Sequence, residues 1–109
     1  VSKTGVTESS GNVFADLGVK DPDTALAKAE LAAEITRIIR GRRLTQVQAA
    51  DLLGIDQPKV SRLMQGRIEG FAAERLMRYL TFLGRDVHIS IKRRRKAGGR
   101  GRVAVVTQD

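Results

Sequence analysis

The stretch from Thr45 to Gly66, TQVQAADLLGIDQPKVSRLMQG, leaves the chain few choices. Its punctuation marks two short helices joined by a tight turn. Thr45 and Gln48 stand three apart, the spacing at which a hydroxyl and a carboxamide each satisfy a backbone N–H at a helix start. Ala49, Ala50, Leu52 and Leu53 then give an apolar face, with small residues where a second helix must pack closely. Gly54 falls where a helix ends in a left-handed residue, the conformation that costs glycine least. Ile55 can turn back toward the core, and Asp56 is a good N-cap for the next helix. Pro58 sits in that helix's first turn, where a missing N–H costs nothing. Val60 and Leu63 face inward. Gln57, Pro58, Ser61, Arg62 and Gln65 are left on the outside, free to meet a partner.

The flanks supply the remaining helices. Asp21 as N-cap, Pro22 at the first helical position and Asp23 near the positive end of the dipole start a helix that runs to about Arg40. Its alanine-rich first half has high helix propensity, and Leu31, Ile35, Ile38 and Ile39 continue it at helical spacing. Arg37, Arg40, Arg42 and Arg43 cluster near its end, where they suit either the dipole or a phosphate partner equally well. Gly41 and the next two arginines make a turn, and Leu44 anchors the entry to the two-helix stretch. Phe71 to Leu83 reads as the last helix, with Ala73, Leu76, Tyr79 or Leu80, and Leu83 buried. Ala72 and Ala73 at its start cap it poorly, at a cost of about 1 kcal/mol.

From Asp86 to Lys92 the apolar period changes to two, with Val87, Ile89 and Ile91 on one side, which predicts a strand. A lone strand needs a mate. Val103 to Val106 could fold back onto it, or the same strand of a second subunit could pair with it across a two-fold axis. The second is favoured, because strand pairing with a self-complementary apolar patch is a common route to a dimer. Residues 1–10 carry no periodicity and read as disordered, while Val13, Phe14 and Leu17 give the next segment a short apolar stripe suited to packing or docking. The run KRRRK at Lys92–Lys96 and the AGGRGR after it read as a solvated basic tail that can also seek phosphates.

Composition narrows the partner. The net charge is +8, with no cysteine and one histidine, His88. Neither a disulfide framework nor a thiolate or histidine metal centre is expected, and no cofactor. Residues 1–36 carry −3, residues 37–96 carry +10 and the rest +1. Such a basic body suggests a polyanion, and the few aromatic residues favour a duplex over stacked single strands. No apolar run is long enough to span a membrane, so no membrane partner is expected and the cytoplasm is the simplest location.

The words LTQVQAADLLGI and DQPKVSRLMQGR resemble the Cro/phage-repressor, or XRE-like, class of helix-turn-helix proteins. GNVFADLG at Gly11–Gly18 and RLMRYLTFLGRDVHISI at Arg75–Ile91 make the chain similar to the HigA-type antitoxins within it. The resemblance covers Gly11 to about Lys92. It implies a mainly α, lambda-repressor-like helix-turn-helix bundle of four to five helices with one C-terminal β-strand, paired across a homodimer through Val87, Ile89 and Ile91. The layout expected is an N-terminal arm at 1–20, a DNA-binding domain at 21–84, a dimerisation strand and basic run at 85–96 and a flexible tail at 97–109.

The function expected of such a chain is DNA reading. The second helix of the motif would enter the major groove, with Gln57, Pro58, Lys59, Ser61 and Arg62 near base edges. Thr45, Gln46, Arg43 and Arg67 would hold phosphates. Two subunits would read a pseudo-palindromic operator on double-stranded DNA. The resemblance further implies a small toxin protein as partner, and a bacterial antitoxin that represses its own operon at the nucleoid. A stand-alone phage-type repressor is the alternative, and a protein-interaction adaptor is weaker because the outer helix face is polar and the body basic. An enzyme is the weakest reading, since Ser61 has no histidine nearby in the sequence.

Overall fold

A computed structural model describes residues 22–94 and 99–108. The expected arm at 1–20, the N-cap at Asp21 and the residues Arg95 and Lys96 of the basic run lie outside them. Four α-helices are found among the described residues: α1 Pro22–Gly41, α2 Gln46–Leu53, α3 Gln57–Met64 and α4 Ala73–Phe82. The long α1 packs on α3 and α4, α2 packs on α3 and α4, and a single core lies between them.

The most deeply buried part of that core is aliphatic. Ile35 and Ile39 of α1, Ala49 of α2, Val60 of α3, Leu76 of α4 and Leu83 just after it are all sealed from solvent. The 3.6-residue period expected for α1 is borne out at Leu31, Ile35, Ile38 and Ile39, all buried. Both residues left open on α4, Tyr79 and Leu80, are buried, and burial raises the pKa of the Tyr79 phenol.

Ala73, expected on the buried face of α4, is half-buried, and two other positions differ further from the sequence expectation. Leu52 is 46% exposed rather than buried. Ala49, Ala50 and Leu53 form a narrow stripe on an eight-residue helix. At 100° per residue, Leu52 points about 100° away from its centre. The last helix starts at Ala73 rather than Phe71. Phe71 is still buried, in the loop leading to α4, and its backbone N–H donates to the Ile68 carbonyl at 3.0 Å. Its apolar character alone draws it into the helical pattern of the sequence.

The helix ends explain the sharp turns. After α1, Arg43 N–H donates to Arg40 O and Leu44 N–H to Ile39 O, both at 3.0 Å, with Arg43 at φ 56°. This pair of bonds around a left-handed residue closes a helix and turns Leu44 back onto the core. The same pairing closes α3 at Gly66 and α4 at Gly84. An arginine therefore occupies a conformation that glycine would take without strain. α1 itself ends at Gly41, so the turn is made by Arg42 and Arg43 alone.

Arg42 has a specific use. Its Nη2 donates to the Leu83 carbonyl, at the C-terminal end of α4, tying together segments 41 residues apart in sequence. A cation there satisfies an orphan carbonyl and complements the dipole. Arg37 is likewise engaged, donating twice to Glu34 at 3.0 and 2.6 Å. That hydrogen bond lowers the Glu34 pKa, with the Arg37 and Arg85 charges adding to it against the opposing effect of burial. Arg42→Met is expected to lower stability by about 1 kcal/mol, read as a lower urea midpoint.

The start of α4 is uncapped by any side chain. Ala72 has the extended conformation of an N-cap, φ −75° and ψ 147°, but no side-chain acceptor. Ala72→Ser should therefore stabilise the domain by about 1 kcal/mol, raising the melting temperature by roughly 4–8 °C. An unchanged thermal midpoint would show that the first turn of α4 is already satisfied.

The C-terminal residues leave helical structure after Gly84. Residues 86–92, expected as a strand, show no ladder with 103–106 or with any other described residue. The intrachain hairpin is thus not formed. Val87, Ile89 and Ile91 are 37%, 74% and 94% exposed. Val105 packs against the core, and Arg100, Gly101 and Val103 line a shallow hollow with Pro22 and Asp23.

Candidate nucleic-acid interface

The turn between α2 and α3 sets the geometry. At the start of α2 the Thr45 hydroxyl accepts from Gln48 N–H at 3.0 Å, and the Gln48 carboxamide oxygen accepts from Thr45 N–H at 2.9 Å, the reciprocal cap expected from the spacing. Gly54 takes φ 72°, and both its N–H and that of Ile55 donate to Ala50 O, at 2.8 and 3.1 Å. The Asp56 carboxylate accepts from Lys59 N–H at 2.9 Å and opens α3. Pro58 falls in its first turn, as expected.

These caps fix which face of α3 is presented. Val60 and Leu63 are buried, which turns Gln57, Pro58, Lys59 and Arg62 outward and leaves Ser61 half-buried. The candidates expected at base edges thus share one short helix. They are also linked to one another and to neighbouring elements. Gln57 Nε2 lies 3.4 Å from Gln46 Oε1, joining the N-termini of α3 and α2. Ser61 Oγ accepts from the Gln65 carboxamide at 3.3 Å. The Arg62 guanidinium carbon lies over the Phe71 ring, 5.9 Å from its centroid.

The expected phosphate group flanks this helix. Thr45 and Gln46 stand at the N-terminus of α2, Arg67 just beyond α3, and Arg43 in the turn before α2, with Thr45, Arg43 and Arg67 exposed. Thr45 N–H is already given to Gln48, so its hydroxyl proton is what it can still offer. The N–H groups of Gln46 and Val47, in the first turn of α2, have no intrahelical acceptor and suit an anion. Arg37 and Arg42, near in sequence, serve Glu34 and Leu83 instead. Sequence periodicity does not signal the roles of Arg42 or Phe71, because both depend on residues brought near by folding.

Among the described residues no group of three or more His, Asp or Glu is placed to hold a metal ion, and no helix is long and apolar enough to cross a membrane.

A family described as "Helix-turn-helix domain" matches residues 13–92. A solved structure described as a "Putative XRE Family Transcriptional Regulator" is 40% identical, with a TM-score of 0.75 over 81% of this chain and 99% of that one. No curated protein matches. With its capped pair of short helices, its left-handed Gly54 between them and these similarities, the chain belongs to the XRE-like helix-turn-helix family.

Proposed function

We propose that this protein is a sequence-specific regulator of transcription that inserts α3 into the major groove of double-stranded DNA. The observation that carries this is the division of α3: Val60 and Leu63 are sealed in the core, while Gln57, Pro58, Lys59 and Arg62 project from a basic body. Gln57 pairs bidentately with adenine, Arg62 with guanine, and Pro58 contacts a thymine methyl. Lys59 and Ser61 reach bases beside them. Thr45, Gln46, Arg43 and Arg67 set the register through phosphates, which fixes orientation without carrying sequence. The Gln46–Gln57 contact supports this division, since it braces a base reader against a backbone holder.

The working unit is a homodimer. One α3 covers only a few base pairs, whereas two related by a two-fold read half-sites about one helical turn apart. The exposure of Val87, Ile89 and Ile91, with no partner strand among the described residues, suits antiparallel pairing of the two 86–92 segments. Selection of binding sites from random duplexes by the full chain tests the reading. A two-fold symmetric consensus is expected, and absence of any enriched sequence would refute it.

The protein is further proposed to be an antitoxin that represses its own operon. The support here is the similarity of Gly11–Gly18 and Arg75–Ile91 to the HigA-type antitoxins. The product of the adjacent gene, expressed alone, should arrest growth. Co-expression of this chain should restore growth and yield a stable complex. A harmless neighbour with no complex would leave a stand-alone repressor.

A further inference from the structure

The Arg62–Phe71 contact does not follow from the polar face of α3. Phe71 is only 6% exposed, and its ring is held edge-on by Tyr79, with centroids 6.4 Å apart and planes at 79°. Its backbone is fixed as well, through the bond to Ile68 O. The ring is thus a rigid part of the core with one face turned to the end of α3. On that face lies the guanidinium of Arg62, at 5.9 Å, within the range of a cation–π attraction. The backbone of Arg62 is also pinned, since its carbonyl accepts from Arg67 N–H at 2.9 Å.

We infer that Phe71 is a positioning residue for base recognition: its ring holds the Arg62 guanidinium in place before DNA arrives. The inference rests on the proposed DNA reading. Arginine is a long side chain that loses much rotamer freedom when it binds, and a contact made in the free protein removes part of that loss. A cation–π contact draws on the charge of the guanidinium and commits none of its N–H donors to an acceptor atom. Those donors match the O6 and N7 acceptors of guanine. Phe71 touches no base and acts only through Arg62. The buried ring therefore carries specificity that an exposed-residue survey of α3 would miss.

The test uses the full chain and the consensus duplex obtained by selection. Arg62→Ala should erase the preference at one base pair in each half-site. Phe71→Leu should weaken the same preference about two- to five-fold, the size of a surface cation–π contact, and should change nothing further in the Arg62→Ala background. Phe71→Tyr should retain the wild-type preference. If Phe71→Leu is unfolded by circular dichroism, Phe71→Met removes the aromatic face with an unbranched side chain that can adapt to the gap. In the free protein, the Arg62 side-chain protons should show ring-current shifts that vanish in Phe71→Leu or Phe71→Met and survive in Phe71→Tyr. Unchanged base preference in a folded Phe71→Leu or Phe71→Met variant overturns the inference, as does Arg62→Ala with every preference intact. Both of those outcomes leave the DNA reading standing, whereas failure of the wild type to select any sequence refutes that reading and the inference with it.

Discussion

Gln57→Ala is expected to cost the protein roughly 1–3 kcal/mol per half-site, because it removes a bidentate contact to adenine at the N-terminus of α3. In a dimer that reads two half-sites the loss doubles, to an affinity about 30-fold to 2 × 10⁴-fold lower for the consensus duplex. The loss should be confined to duplexes carrying the preferred base at that position. Non-specific binding and its salt dependence should stay close to wild type, since these come from the phosphate contacts. Stability should change little, because the side chain is exposed and its hydrogen bond to Gln46 is long, at 3.4 Å. Titrations of wild type and variant against consensus and singly substituted duplexes decide the matter. Equal losses on every duplex would move Gln57 from base reader to backbone holder.

Leu63→Ala, on the opposite face of the same helix, should behave in the reverse way. Leu63 is 1% exposed and among the largest fully buried side chains. Truncating such a leucine costs about 2–5 kcal/mol, from lost transfer energy and from the cavity left behind. A core of this size rarely supplies more than about 5 kcal/mol, so a large fraction of the variant should be unfolded at roughly 37 °C. DNA binding would fall in proportion to the folded fraction, equally for all sequences, and base preference would survive. Urea unfolding followed by circular dichroism gives the stability directly. A change below about 1 kcal/mol would mean that the space around Leu63 collapses more fully than its burial suggests.

The contrast between these two variants reflects how much of the interface is legible in the sequence. Thr45 with Gln48, Gly54, and Asp56 with Pro58 act within a few residues of themselves, through backbone N–H groups whose positions follow from helix geometry. Their spacing therefore announces the capping box, the left-handed turn and the start of α3, and all three are present. The inward Val60 and Leu63 follow from the same periodicity, and with them the outward side of Gln57 and Arg62. Leu52 departs from expectation because hydrophobicity shows that a residue can be buried, while the rotation of α2 against α1, α3 and α4 decides whether it is. Phe71 departs from α4 for a similar reason: an apolar residue in an approaching loop looks the same as one in a helix.

The arginines divide in the same manner. Four of them near the end of α1 are equivalent in sequence, yet folding separates them. Arg37 reaches Glu34 one turn back, an interaction that spacing alone permits. Arg42 reaches the Leu83 carbonyl, and Arg43 takes the left-handed turn position. Arg62, on α3, rests on Phe71, nine residues away and outside its own helix.

The caps of α2 and α3, the turn between them and the amphipathic faces can be read along the chain, because each of these is a contact between residues at most a few positions apart and depends only on local backbone geometry. The exposure of Leu52, the tie from Arg42 at the end of α1 to the end of α4, and the place of Phe71 under Arg62 arise only on folding. Those outcomes depend on how α1 to α4 pack together, and packing joins residues whose separation along the chain carries no signal of their meeting.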